Sequence, residues 1–289
     1  MTVVDVGPYQ FRIIDSGLKD DSFFVRSFKI GGNYSDCVNV SIGYEAGRPM
    51  NAKIPTLVWH PDCSITTKLP RSDGTILMIK TLLRHIHHTI PEVTLFKFED
   101  KSNIECGTEA EQHQKRRRKE GTNAYPVVLY YFSLVFNGIT WYEKNFNAYQ
   151  MEGHERYREF VKTWLNAPKP SFEIFRRKAM LTEEIQQELL TYYDKADNYG
   201  MFFQSIPRDN RCRLVRSWLY PFMEEEFNTV FSNKGWMIDV TKMDEPSMQG
   251  GIRGKYKTRG KRSTRKKIPY YCPNGIIRFT DTISSGGSM

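Results

Sequence analysis

Two short segments about 65 residues apart contain the residue types that could do chemistry in this chain. The first reads RSDGTI, from Arg71 to Ile76, and lies between a strand-like stretch and an amphipathic helix. Backbone N–H groups at such a helix start lack partners within the helix and carry positive partial charge, so a glycine-bearing loop there can hold a phosphate. The second segment, from Gly138 to Phe146, reads GITWYEKNF and includes Tyr142.

Together these segments resemble the GNAT acyltransferase superfamily over about residues 8–150. In that family an R/Q-x-x-G-x-G/A loop binds the pyrophosphate of acetyl-CoA, and a later A-x-x-L-Y-E-K-x-G-F segment brings a tyrosine near the thiol. The resemblance implies acetyl-CoA as cofactor and Tyr142 as the general acid that protonates the leaving thiolate, a role suited to a phenol. The cofactor-binding residues that it implies are Arg71, Ser72, Asp73, Gly74, Thr75 and Ile76.

The chain departs from the family pattern at both segments. Ile76 stands where the family has a small Gly or Ala, and its branched side chain could obstruct the approach of the backbone to a pyrophosphate. The second segment is one residue shorter than YEKxGF and lacks its glycine. These departures favour an N-acetyltransferase fold whose catalysis is degenerate. Glu45, His60 and Asp62 all remain candidates for the general base.

The elements that would position these residues are a series of strands followed by an alternation of helices and strands. Alternating apolar residues predict strands around residues 11–13, 24–30 and 38–44, and residues 54–59 and 93–98 are also rich in strand formers. Ile79, Leu82, Leu83 and Ile86 have helical spacing, and residues 125–136 read as a buried helix. We therefore expect an α/β (α+β) fold with a GNAT-like central mixed sheet flanked by helices, over residues 1–150.

The second half of the chain has the spacing of amphipathic helices. Three apolar stripes occur, around residues 157–165, 185–193 and 214–219, and they predict a mainly helical extension over residues 151–245. This helical half is a candidate surface for a protein partner.

A basic, low-complexity tail is expected over residues 246–289. The fifteen residues 253–267 contain nine Lys and Arg and no acid, which leaves 33 basic and 33 acidic residues in the rest of the chain. Such a segment suits sequence-independent contact with a polyanion, DNA or RNA. The candidate nucleic-acid-binding residues are Arg253, Lys255, Lys257, Arg259, Lys261, Arg262, Arg265, Lys266 and Lys267.

Other roles for the tail stay open at this point. It could be a nuclear import signal or a solubilising segment, and phosphorylation of Ser263 or Thr264 would subtract charge from it. The tail and the WYEKNF segment also resemble uncharacterised proteins of large DNA viruses of algae and amoebae. That resemblance implies host cytoplasm, a viral factory or the virion. It also gives the alternative function, a non-enzymatic structural or packaging protein that binds nucleic acid through its tail.

Several other classes of function find little support in the sequence. His85, His87 and His88 have no carboxylate or cysteine at ligand spacing, so no metal is expected. Cys106 with His113 lacks the context of a thiol nucleophile, and the charged run 115–119 reads as a solvated insertion. Five scattered cysteines without CxxC spacing predict free thiols in a reducing intracellular compartment. No segment predicts a signal peptide or a membrane span.

Overall fold

The structure is a computed structural model, and it describes residues 1–19, 24–33, 36–100, 103–104, 127–227 and 235–245. The strands are β1 Thr2–Val6, β2 Tyr9–Lys19, β3 Phe24–Gly31, β4 Asp36–Glu45, β5 Arg48–Leu57, β6 Leu95–Phe98, β7 Asn103–Ile104, β8 Val127–Val128, β9 Tyr149–Gln150 and β10 Trp236–Asp239. The helices are α1 Arg71–Thr89, α2 Leu129–Asn137, α3 Trp141–Phe146, α4 His154–Asn166, α5 Phe172–Lys178, α6 Glu183–Tyr193, α7 Tyr199–Ser205, α8 Arg208–Val215 and α9 Leu219–Phe227. A short 3-10 helix, Pro61–Cys63, precedes α1.

Eight of the described strands form one sheet, in the order β1–β2–β3–β4–β5–β6–β10–β9, and β7 pairs separately with β8. Neighbouring strands of the large sheet are antiparallel except β5 and β6, which are parallel. Because parallel neighbours need a crossover, α1 fills the connection between β5 and β6. The predicted mixed α/β architecture, a central sheet with helices, is confirmed.

The predicted apolar patterns form the contact between the sheet and α1. Val38, Val40 and Ile42 of β4 are buried, as their alternation requires. The stripe of α1 is also fully buried, and it consists of Ile79, Leu82, Leu83 and Ile86. On the sheet side, the ring of Phe28 meets the edge of His85, with ring centroids 6.3 Å apart. The helix thus covers the face of the sheet that carries the apolar residues.

A short strand, β10, lies within the stretch that the sequence predicted to be mainly helical. It pairs with β6 through Trp236 and Phe98, and with β9 through Trp236 and Gln150. Helices α4 to α9 therefore leave the sheet after β9, and the chain returns to it between β6 and β9. Four residues are too few to establish a period of two, which explains why the pattern did not reveal this strand.

The helices from α4 to α9 pack around aromatic side chains. Phe175 is fully buried and stacks on Tyr193, with ring centroids 4.8 Å apart. Trp218 meets the edge of Phe175 at 5.3 Å, and Trp164 stacks on Tyr199 at 4.7 Å. The apolar stripes predicted in this half of the sequence are therefore its core. Its status as a separate unit with its own boundaries stays a prediction.

The prediction of free thiols is wrong for three cysteines. Cys37, in β4, and Cys63, in the connection before α1, form a disulfide across a sequence separation of 26 residues. Cys212 is also disulfide-bonded. The first pair meets because the connection folds back against the turn between β3 and β4. There, a Cβ added to Gly32 would lie 1.9 Å from the carbonyl oxygen of Asp62, so only glycine permits this approach.

Several sequence predictions concern residues that the structure does not describe. All nine candidate nucleic-acid-binding residues, Ser263, Thr264, Cys106, His113 and the run 115–119 lie outside the described ranges. Among the helices that are described, none has the length and apolar character needed to cross a membrane.

Candidate functional site

The predicted cofactor loop forms the first turns of α1. Arg71 and Ser72 begin the helix, although their side chains are not among those described. Pro70 occupies the N-cap position and makes no capping hydrogen bond through its side chain. The N–H groups of the first turn therefore have no partner from a cap, and the charge at this helix end favours an anion.

Gly74 has a packing role in this turn. Its N–H donates to the carbonyl oxygen of Pro70 at 3.1 Å. A Cβ at this position would lie 2.6 Å from Cγ of Leu69, which is itself buried. Glycine thus lets the preceding loop pack closely on the helix, and Leu69 fills the space beside it.

The other predicted cofactor residues have different exposures. Asp73 is exposed, Ile76 is partly buried and Thr75 is fully buried. Thr75 therefore faces the interior of the fold. Among the described side chains of this loop, only that of Asp73 is exposed.

The connection from β5 to α1 is tied to the sheet along its length. The N–H of Val58 donates to the carbonyl oxygen of Cys37 at 2.7 Å, and that of Ile65 donates to Gln10 at 2.7 Å. The N–H of Leu69 donates to the carbonyl oxygen of Pro61 at 2.8 Å. Together with the disulfide, these bonds fix the position at which α1 begins.

Strands β5 and β6 pair with each other over a short region only. Their register pairs Ala52 with Phe96 and Lys53 with Lys97, while β5 continues to Leu57. A register shift in the pairing of β4 with β5 falls at residues 54–55, and Pro55 has no N–H to donate to a ladder. We use the term crevice for the place where this pairing ends, at the carboxyl ends of two parallel strands, because open α/β sheets bind ligands at such ends.

Tyr142 lies at the start of this crevice. Its ring contacts Phe98, the residue that follows the last position of β6 paired with β5, with ring centroids 4.4 Å apart. It also meets the edge of Trp141 at 4.9 Å, and the side chain is only 3% exposed. The ring of Tyr142, a residue of α3, therefore packs against the end of β6, while the predicted cofactor loop follows β5 in the sequence.

The helix that carries Tyr142 is held by a capping box that the sequence analysis missed. Thr140 Oγ1 accepts the N–H of Glu143 at 3.2 Å, and Glu143 Oε2 accepts the N–H of Thr140 at 2.8 Å. The spacing T-x-x-E is the signal that could have revealed it. At the other end, Asn147 takes the left-handed conformation, with φ 50°, so an asparagine occupies the C-cap that glycine usually supplies.

Glu143 also joins α3 to the helical half of the chain. Its Oε1 lies 3.1 Å from Nη1 of Arg158 in α4. Burial raises the pKa of the Glu143 carboxyl, while its hydrogen bonds to Thr140 and the charge of Arg158 oppose that shift. Burial likewise raises the pKa values of Tyr130 and Tyr157, two phenols close to this carboxyl. Both phenols therefore lose their protons less readily than a tyrosine exposed to solvent.

The three candidate general bases occupy two separate places. Glu45 pairs with Arg48 at the hairpin end of β4 and β5. Ten residues of β5 separate that end from the connection to α1, or about 30 Å of extended chain. His60 and Asp62 lie in the connection itself, with Nδ1 and Oδ2 3.3 Å apart, and both are exposed. Only His60 and Asp62 are thus on the same side of the sheet edge as the start of α1.

The histidines of α1 have structural surroundings. His85 packs against Phe28, and its burial lowers the pKa of its imidazole. His87 Nδ1 lies 3.2 Å from the carbonyl oxygen of Val93. Among the described residues, no three His, Cys, Asp or Glu side chains come together in a way that could hold a metal ion.

Comparison with known proteins gives no further assignment. No family model matches the chain, and no curated protein or solved structure matches it either.

Proposed function

We propose that this chain has a GNAT-like fold whose crevice between β5 and β6 binds acetyl-CoA, with a capacity for acetyl transfer that is weak or lost. The observation that carries the proposal is a set of three features at the carboxyl ends of β5 and β6. The pairing of these parallel strands ends after Lys53 and Lys97, the connection that leads to α1 leaves from the end of β5, and the ring of Tyr142 lies on Phe98 of β6. The order of strand, loop, helix and strand agrees with the order that the resemblance implies.

The first turn of α1 would hold the pyrophosphate. Backbone amides from Arg71 to Asp73 and the positive end of the helix suit its charge, and the Arg71 guanidinium would add a charged contact. Gly74 contributes indirectly, because its packing against Leu69 fixes the direction of the turn. Ile76 is partly buried, so its branched side chain lies largely within the fold.

Any residual transfer would use Tyr142 as the proton donor. Acetyl-CoA supplies an acetyl thioester, whose carbonyl carbon forms a bond to an amine nitrogen as its bond to sulfur breaks. Tyr142 donates the phenolic proton to the sulfur, and His60 or Asp62 is the candidate acceptor of the proton that the amine loses. Burial of the Tyr142 ring limits competition from water. The charged pair of Glu143 and Arg158 holds the helix in place.

Calorimetric titration of the full chain with acetyl-CoA tests this proposal. We expect saturable heat from the unchanged protein and none in the millimolar range from Arg71→Glu, because the substitution reverses the charge next to the pyrophosphate. Lys162→Glu is the matched control, since Lys162 is an exposed lysine of α4 and should leave binding unchanged. Tyr142→Phe should retain binding and lower any release of free CoA. Absence of heat from the unchanged protein at millimolar cofactor would refute the proposal.

A second candidate function rests on the charge distribution of the sequence. Nine basic residues within residues 253–267 account for the whole net charge of +9. This asymmetry favours a non-enzymatic structural or packaging role, in which the tail contacts DNA or RNA through phosphate groups and reads no sequence.

A further inference from the structure

Six side chains form a row across the face of the sheet opposite to α1 and Tyr142. They are direct neighbours in cross-strand register, and we call them the open face: Ser27, Ser41, Lys53, Lys97, Met237 and Tyr149. Each alternates along its strand with a residue of the buried face, such as Phe28, Ala52 or Trp236. No described helix contacts the open face through a ring pair or an ion pair, apart from the edge of His154 beside Tyr149. Its side chains are thus half-buried or exposed.

Two lysines lie side by side at the centre of the open face. Lys53 and Lys97 are register partners on β5 and β6, strands that lie about 4.8 Å apart. Like charges directly opposite each other destabilise a sheet. Neither lysine forms an ion pair with any described residue, and Lys53 is exposed. The pair is therefore a concentrated positive charge without an internal counterion in the described part of the chain.

Three acidic side chains on the strands of this row, or directly after them, have partners of their own. Asp36 pairs with Arg12 and Lys29, each at 3.1 Å. Asp239 accepts a hydrogen bond from the hydroxyl of Thr241 at 2.6 Å. Glu99, two residues beyond Lys97, also has an interaction of its own. An anion that arrives from solvent would thus be the natural counterion of Lys53 and Lys97.

The neighbours of the lysine pair indicate the chemistry of that anion. On one side, Ser41 and Ser27 offer hydroxyl groups, and the Ser27 hydroxyl already lies 3.1 Å from Asn39 Oδ1. On the other side, Met237 and the ring of Tyr149 follow Lys97 across two strands, or about 10 Å. Phosphates beside lysines and bases on an aromatic ring are the two contacts of a single-stranded nucleic acid.

We propose that the open face binds single-stranded nucleic acid without sequence preference, with phosphates on Lys53 and Lys97 and a base on Tyr149. A flat row of side chains suits an extended strand, because the bases of a single strand are free to turn toward the sheet. Duplex nucleic acid hides its bases and would reach only the lysines. Lys53 and Lys97 are the last register pair before the proposed cofactor crevice, but their side chains lie on the face opposite to Phe98 and Tyr142, and the inference does not rest on acetyl-CoA binding. It is also separate from the basic tail.

Fluorescence anisotropy of a labelled oligothymidine, titrated with full chain over a range of salt concentrations, tests the proposal. The double variant Lys53→Gln/Lys97→Gln should lose about two phosphate contacts. The slope of log affinity against log salt then becomes less negative by about 1.4, from roughly 0.7 per phosphate of a single strand. Tyr149→Ala should weaken binding about 5- to 150-fold, and Tyr149→Phe should preserve it, because stacking needs only the ring.

The matched control is Lys162→Gln/Lys195→Gln, which removes two exposed lysines that form no ion pair with a described residue. It carries the same tail and the same net charge as the test variant, but its two lysines lie outside the open face, so its slope should equal that of the unchanged protein. Equal slopes for the two double variants would overturn the proposal. Binding to phosphatidylserine vesicles should be measured with the same variants. If Lys53→Gln/Lys97→Gln weakens binding to the vesicles and leaves binding to oligothymidine unchanged, the proposal is also overturned and the face would bind a membrane surface. Circular dichroism of each variant checks that it is folded.

Discussion

Gly74 shows how one residue type can serve two different purposes at the same position of a motif. In the sequence, a glycine at the start of a helix predicts close approach of the backbone to a phosphate. In the structure, the space beside its Cα is filled by Leu69, at 2.6 Å from where a Cβ would lie. A glycine in a sequence indicates only that another group packs close to the backbone. The sequence does not distinguish a ligand from a side chain of the same protein in that position.

Replacement of Gly74 by alanine tests this packing role. In an exposed helix the change would stabilise by up to about 1 kcal/mol, but here the new methyl group overlaps Leu69. We expect a net loss of about 1–3 kcal/mol in the free energy of unfolding, measured by urea denaturation.

The control for Gly74→Ala is the combination with Leu69→Ala. Leu69→Ala alone should destabilise by leaving a cavity, and the double variant should cost less than the sum of the two single changes, because the methyl group then occupies part of that cavity. Additive losses would contradict the packing account.

At the scale of elements, the sequence predicted those whose pattern extends over several turns or alternations. Helix α1 and strand β4 belong to this group, because their apolar residues recur often enough to establish a period. Strand β10 has four residues, and helix α3 has six. Strand β10 is held by partners distant in the sequence, as Trp236 is by Phe98 and Gln150, so no local pattern specifies it. For α3 the only local signal is the capping-box spacing of Thr140 and Glu143.

The same limit explains the cysteines. Cys37 and Cys63 lie on different elements, and their pairing depends on how the connection before α1 packs against β3 and β4. The fold brings the two cysteines together, and their spacing in the sequence does not predict that they pair. The same limit applies to the candidate site. The motif identified Tyr142, but its contact with Phe98 depends on how α3 packs against the sheet and could not be predicted from the sequence.

The disulfide should contribute substantially to stability. A cross-link that closes a loop of this length restricts the unfolded chain by about 3.5 kcal/mol in the chain-entropy model. Cys37→Ala/Cys63→Ala should therefore lower the free energy of unfolding by a few kcal/mol, measured by denaturation without reductant.

Two comparisons isolate the effect of that bond. Dithiothreitol reduces the Cys37–Cys63 bond of the unchanged protein and the bond of Cys212 in both proteins. The difference in stability between the unchanged protein and the double alanine variant should therefore shrink. If the variant and the unchanged protein unfold at the same denaturant concentration without reductant, the bond does not hold the connection to α1.

At the scale of the whole molecule, charge and fold are separated along the chain. The residues outside 253–267 carry equal numbers of basic and acidic side chains. Within the described part, many charges are already paired, as for Arg84 and Lys80 with Asp244 on the segment that leads to the tail. That segment is also held by Asn147, whose amide donates to the carbonyl oxygens of Lys242 and Glu245 at 2.8 and 2.7 Å. The tail thus starts from a point fixed between α1 and the helix of Tyr142.

This separation predicts a strong salt dependence for binding of the tail to duplex DNA. If all nine basic residues neutralise phosphates, the slope of log affinity against log salt should be near −8, from about 0.9 per phosphate. Replacement of the nine by glutamine in the full chain should remove nearly all of that slope, as measured by anisotropy with a labelled duplex. Because duplex bases are hidden from Tyr149, loss of the open-face residues Lys53 and Lys97 should change this slope by no more than about 2. A slope that survives the nine substitutions would place the main polyanion contact on the folded body, and the tail would then have a different role.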